Sequence, residues 1–76
     1  MIMSPSAATV SSGNTQQFVG LGGFGTLTYS LSVNNSSGSI DSSTGVYTAG
    51  VTTGVSDTVE VTDSLSNTAT ATVSVT

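Results

Sequence analysis

The chain contains no cysteine, no histidine, no lysine, no arginine and no tryptophan. Each absence closes a class of chemistry. Without cysteine there is no disulfide to staple a small domain. Without cysteine or histidine the usual ligands of zinc and copper are missing. Only hard cations bound by oxygen atoms remain possible as metals. Without lysine or arginine the net charge is −4. Nothing can displace counterions from a phosphate backbone, which excludes electrostatic nucleic-acid binding. Docking on anionic lipid is disfavoured for the same reason. Lysine-dependent chemistry, including a lysine–asparagine crosslink, is impossible. The ordinary bases and oxyanion-binding cations of acid–base and nucleophilic catalysis are absent as well, so no enzyme is expected. No run approaches the roughly 20 apolar residues of a membrane helix, and no membrane insertion is expected. Met1-Ile2-Met3 lacks the positive start of a signal peptide.

Serine and threonine are what the chain has in quantity, at 29 of its 76 residues. They supply polarity without charge. Hydrophobic residues make up 36%, and ten are valine. Threonine and valine together favour pleated strands. Disordered chains instead combine low hydrophobicity with high net charge. Seventy-six residues form one domain, 1–76, with a thin core that buries about 60% of the unfolded surface.

Period-2 alternation recurs along the chain, and no segment has a helical period. Ala69, Ala71, Val73 and Val75 face one way and the intervening threonines and Ser74 the other. Val59 and Val61 alternate with Thr58, Glu60 and Thr62. Joined by the turn cluster Asp63-Ser64-Leu65-Ser66-Asn67, these predict a hairpin over roughly 57–76. Leu27, Tyr29, Leu31 and Val33 mark another strand. Shorter strands are predicted at 6–10, 16–19, 39–40 and 45–49. Gly20-Leu21-Gly22-Gly23-Phe24-Gly25 reads as a flexible connection. About seven short strands with turns every 8–12 residues predict an antiparallel β-sandwich. The expected core is Val10, Phe18, Leu27, Tyr29, Leu31, Ile40, Tyr47, Val59, Val61, Ala71, Val73 and Val75.

The four carboxylates are Asp41, Asp57, Glu60 and Asp63. Asp57 and Asp63 share strand parity but lie about 20 Å apart at strand rise, too far for a glycosidase pair. They read as strand-end turns, with Glu60 solvated. No cofactor is expected; calcium is the one the residues would allow, with Asp57, Asp63 and Asn67 as candidate ligands, against the ordinary reading of these residues as Asx-turn caps. Asn34-Asn35-Ser36 and Asn35-Ser36-Ser37 match glycosylation sequons but read as a polar loop. The outward threonines of the last strand read as an ordinary strand face rather than an ice-binding array. Interaction candidates are Met1, Ile2 and Met3, within an N-terminal extension 1–4 that is flexible or pairs with a partner, and Phe24. Phe24 either fills the end of the core or contacts a partner or sugar. The strands near 5–10 and at the C-terminus are expected edges.

Several stretches together resemble bacterial immunoglobulin-like domains, the tandem modules of microbial adhesins and surface proteins. They are Ser4-Pro5-Ser6 with Ala8-Thr9-Val10, Gly13-Asn14-Thr15-Gln16-Gln17-Phe18, Gly22-Gly23, Thr28-Tyr29-Ser30-Leu31 and Gly38-Ser39-Ile40-Asp41. Gly45-Val46-Tyr47-Thr48-Ala49-Gly50, followed by Asp57-Thr58-Val59-Glu60-Val61-Thr62-Asp63-Ser64, is the most specific combination, and Ala69–Val75 resembles the last strand. Ser66 departs from the pattern, where glycine is usual, at little cost if the turn avoids a left-handed position. The resemblance implies an immunoglobulin-like sandwich at the cell surface or outside the cell. It also implies a non-catalytic role as a repeat or spacer, or as the subunit of a filament. Implied partners are neighbouring copies or tandem domains, a surface protein or a glycan. The alternatives are a module of a phage virion, in tail or capsid, and a carbohydrate-binding module.

Overall fold

The computed structural model describes all residues, Met1–Thr76. It contains nine strands and no helix. They are β1 (Ile2–Ser4), β2 (Ala7–Val10), β3 (Thr15–Gln17), β4 (Val19–Leu21), β5 (Thr28–Val33), β6 (Ser39–Ile40), β7 (Val46–Thr48), β8 (Val55–Thr62) and β9 (Thr68–Val75). The fold is an all-β sandwich. One layer is the four-stranded sheet β2-β9-β8-β5. The other comprises β1-β4 and β3-β7-β6, joined because β3 and β4 follow one another in the chain.

The hairpin of β8 and β9 forms the frame. Its register runs without a break from Val55↔Val75 to Thr62↔Thr68. Alternation does the work expected of it: Val59, Val61, Ala71, Val73 and Val75 are buried, and the hydroxyl residues of β9 are exposed. Opposite them lie Phe18 and Tyr47, both fully buried. Their rings meet edge to face, with centroids 6.2 Å apart and planes at 81°. Such a pair adds about 0.5–1.5 kcal/mol beyond its buried area. Tyr29 ties the layers together, its hydroxyl accepting the Gly20 N–H at 3.1 Å. Of the expected core, Leu27, Leu31 and Ile40 are only partly buried, while Met3 and Ala49 join it.

The strands depart from the expected pattern in four places. The predicted strand at 16–19 is two strands, because the chain changes partner at Phe18: β3 pairs with β7 and β4 with β1. Gly20 and Leu21 therefore belong to a strand, not to a flexible connection. Gly20 is there for close packing, since a Cβ would lie 3.1 Å from the Val61 methyls. The segment 1–4 is not a flexible extension. Ile2–Ser4 pairs with Val19–Leu21 of its own chain. The sheet is not wholly antiparallel, because β2 runs parallel to β9. A cis Ser4–Pro5 peptide lies between β1, in one layer, and β2, in the other. Finally, β2 is an edge but β9 is not, lying between β2 and β8.

Candidate functional site

Inward parity carries Asp57 into the core beside Val59 and Val61, with no exposed surface. A buried carboxylate costs several kcal/mol unless its oxygens are hydrogen-bonded. The chain has no cationic side chain to pair with it, so the charge is balanced by hydrogen-bond donors. Asp57 Oδ1 accepts the backbone N–H groups of Asn35 at 2.7 Å and Ser36 at 3.0 Å. Its Oδ2 accepts the hydroxyls of Ser36 and Tyr47, each at 2.5 Å. Ser36 Oγ in turn accepts the Gly50 N–H at 3.1 Å. Gly50 is required by this approach, since a Cβ would strike the Ser36 carbonyl. No buried polar side-chain atom lacks a partner.

Burial acts to raise the Asp57 pKa, but the Ser36 and Tyr47 hydroxyls and the two backbone donors outweigh it and hold the carboxyl below its ordinary value. Tyr47 moves the other way. Burial, and then its bond to the carboxylate, pushes its hydroxyl up to about 12. Asp57 is thus a structural anchor in the core rather than the strand-end turn expected of it. The sequon loop is anchored too. Ser36 is buried, Asn34 bonds Gly38 in both directions at 2.9 Å, and Asn35 Nδ2 donates to the Ser56 carbonyl.

Asp63 organises the opposite end of β8. Its Oδ1 accepts the N–H groups of Leu65 at 2.9 Å and Asn67 at 2.8 Å. Its Oδ2 accepts the Phe24 N–H and Asn67 Nδ2, each at 3.1 Å. Burial again acts to raise the pKa, and the Asn67 side chain and the backbone donors of Asn67, Phe24 and Leu65 outweigh it, so the carboxyl sits below its ordinary value. The three calcium candidates therefore do not converge. Asn67 turns its amide nitrogen, not its oxygen, to Asp63, and Asp57 lies at the far end of the strand. No three acidic side chains come together anywhere in the chain. Asp41 caps the turn between β6 and β7, accepting the Ser43 and Thr44 N–H groups at 2.9 Å.

The interaction candidates divide. Met3 faces inward and is buried in the core, so it offers nothing to a partner. Ile2 faces out at 63% exposure, directly across from the exposed Leu21. Phe24 does not fill the end of the core; it is 65% exposed. Its carbonyl accepts both the N–H and the hydroxyl of Ser64, at 3.0 and 2.6 Å, which sets it in the same loop cluster as the exposed Leu65. Met1 packs over Gly23, where a Cβ would lie 2.8 Å from its sulfur. Met1, Ile2, Leu21, Phe24 and Leu65 thus gather at one pole of the molecule, with no charged side chain exposed among them. Sequence reading missed Leu21 and Leu65 because each is a single apolar residue in a glycine- or serine-rich stretch. No protein-family model and no curated protein matches the chain.

Proposed function

We propose that the chain is a non-catalytic structural module of an extracellular or cell-surface protein, a link joined in series with others of its kind. The observation that carries this reading is the placement of the chain ends. Met1 lies at the pole formed by Gly23, Phe24 and Asp63. Thr76 lies at the other end of β9, beside Ser12. The body between is elongated, 34 × 17 × 17 Å, so a chain entering at one end leaves at the other. The resemblance of residues 4–76 to bacterial immunoglobulin-like domains supports the same reading, as does a surface covered by hydroxyl groups rather than charges. The apolar pole is where a neighbouring domain or copy would sit. The exposed ring of Phe24 is the one observation that favours a glycan or surface protein as partner instead.

Replacement within the parent polypeptide tests the proposal. An unrelated sandwich of similar length, put in place of residues 1–76, should preserve surface display and reach. Loss of adhesion or assembly on that replacement, with a Phe24→Ser variant of the native module showing the same loss, would make the module a binder rather than a link.

A further inference from the structure

We propose that Asn35 is a site of spontaneous deamidation, and that Asp57 holds it closed by binding the backbone nitrogen that would attack it. Asn34-Asn35-Ser36-Ser37-Gly38 forms the loop between β5 and β6, with both asparagines exposed. Deamidation begins when the backbone nitrogen of the following residue attacks the side-chain carbonyl carbon of asparagine. The new C–N bond forms as the nitrogen gives up its proton. The Cγ–Nδ2 bond breaks and ammonia leaves. Water then opens the resulting succinimide to aspartate or isoaspartate. For Asn35 the nucleophile is the Ser36 nitrogen. Serine has no β-branch, so it crowds that nitrogen less than Thr15 and Thr68 crowd theirs, after Asn14 and Asn67. Asn34 is followed by the bulkier Asn35. Of the four asparagines, Asn35 therefore has the least hindered attacker.

The fold immobilises both partners of this attack. The Ser36 N–H donates to Asp57 Oδ1 at 3.0 Å, and the Ser36 carbonyl accepts the Thr52 N–H at 3.2 Å, so the residue's backbone is fixed on both sides. Ser36 is fully buried, which keeps its amide proton from solvent base. The electrophile is pinned separately, with Asn35 Nδ2 donating to the Ser56 carbonyl at 2.9 Å. Attack requires the nitrogen to leave Asp57 and lose its proton, and a carboxylate disfavours negative charge developing beside it. Asn34 is closed in the same way. Its attacker, the Asn35 N–H, sits on the same Oδ1 at 2.7 Å, and its own amide bonds Gly38 in both directions. One buried oxygen thus covers two consecutive sites. The reaction, once it occurs, is one-way for the loop as well. Aspartate at position 35 has no N–H for the Ser56 carbonyl and adds a negative charge near Asp57. Isoaspartate adds a methylene to the backbone and carries the Ser36 N–H out of register with Oδ1. Either product leaves the buried carboxylate short of donors, which is strongly destabilising.

Incubation at mildly alkaline pH, followed by peptide mass spectrometry and isoaspartate detection, gives the rate at each asparagine. In the urea-unfolded chain Asn35 should react fastest of the four. In the folded parent its rate should fall to that set by rare openings of the loop. Asp57→Asn keeps the shape and removes the charge, and should raise the Asn35 rate about tenfold or more in the folded state, as a bond to a charged acceptor is lost. Val61→Ala, a core truncation away from the loop, should raise it far less when each variant is held the same interval below its own melting temperature. The inference is overturned by an unfolded-like rate at Asn35 in the folded parent. It is equally overturned if folded Asp57→Asn shows no acceleration, or if the two variants accelerate alike. If Asp57→Asn does not fold, hydrogen exchange at the Ser36 amide of the parent decides. A protected amide, whose openings rise with added urea in step with the Asn35 rate, supports the protection by Asp57; a freely exchanging one contradicts it.

Discussion

At the scale of single residues, the acid buried near the start of β8 is a carboxylate with no cationic side chain beside it. Tyr47→Phe keeps the ring in place and removes one of the two hydroxyls on Asp57 Oδ2. Loss of a bond to a buried charged acceptor should cost about 1–3 kcal/mol by urea denaturation. Tyr47→Ala, which also empties the ring's space, should cost about 3–5 kcal/mol, and a melting temperature close to the parent's would show that the ring is not where it is described. The same network sets the pH response. Asp57 and Asp63 are held below their ordinary value of 3.8, so the unfolded chain binds more protons there. The stability they contribute is present above that value and is lost as pH falls through their lowered folded values. Tyr47 is raised from 10.0 to about 12, so its contribution is full below 10 and is lost as pH rises toward 12. No histidine or cysteine titrates between. Stability should therefore be level from about pH 5 to about pH 9, and a transition near neutrality would contradict the account. Ser66 is a second residue-scale case. Its φ is 66°, the left-handed region that the resemblance's usual glycine would suit. Ser66→Gly should stabilise the domain by up to about 1 kcal/mol, measured by thermal unfolding.

At the scale of elements, legibility followed alternation. β5, β8 and β9 were readable because valine, leucine and tyrosine alternate there with threonine and serine over six to eight residues. β1 and β4 were not, because three residues of Met-Ile-Met or Val-Gly-Leu type carry no period. Their pairing rests on a long-range contact that local pattern does not encode. The inward parity of Asp57 was readable, but its meaning was not, since the Ser36 and Tyr47 donors come from other segments of the chain. The N-terminal strand supplies a sharp contrast. Met3→Ala should cost about 2–5 kcal/mol as a buried truncation, whereas Ile2→Ala, one residue away and facing out, should stay within about 0.5 kcal/mol. Equal effects in denaturant titrations would place β1 outside the core. Gly45 marks a similar limit. It sits at φ 76°, and a Cβ there would meet the Phe18 carbonyl and the Tyr29 ring. The tight turn between β6 and β7 therefore depends on glycine.

At the scale of the whole molecule, the chain is built of hydroxyls outside and carboxylates inside. Two of its four acids are buried, leaving Asp41 and Glu60 as the carboxylates in contact with solvent. Charge therefore does little to keep copies apart, and no lysine guards the free edges of β2 and β5. An apolar pole about 17 Å across offers each partner roughly 300 Å², well under the about 800 Å² of a stable free complex. Free copies should stay monomeric, while covalently joined copies meet at high effective concentration. The most direct measurement of the central claim is small-angle scattering from one, two and three copies fused in tandem. The account predicts a maximum dimension that grows by about the 34 Å long axis with each copy. Copies folded side by side into a compact particle, with little growth in length, would contradict it.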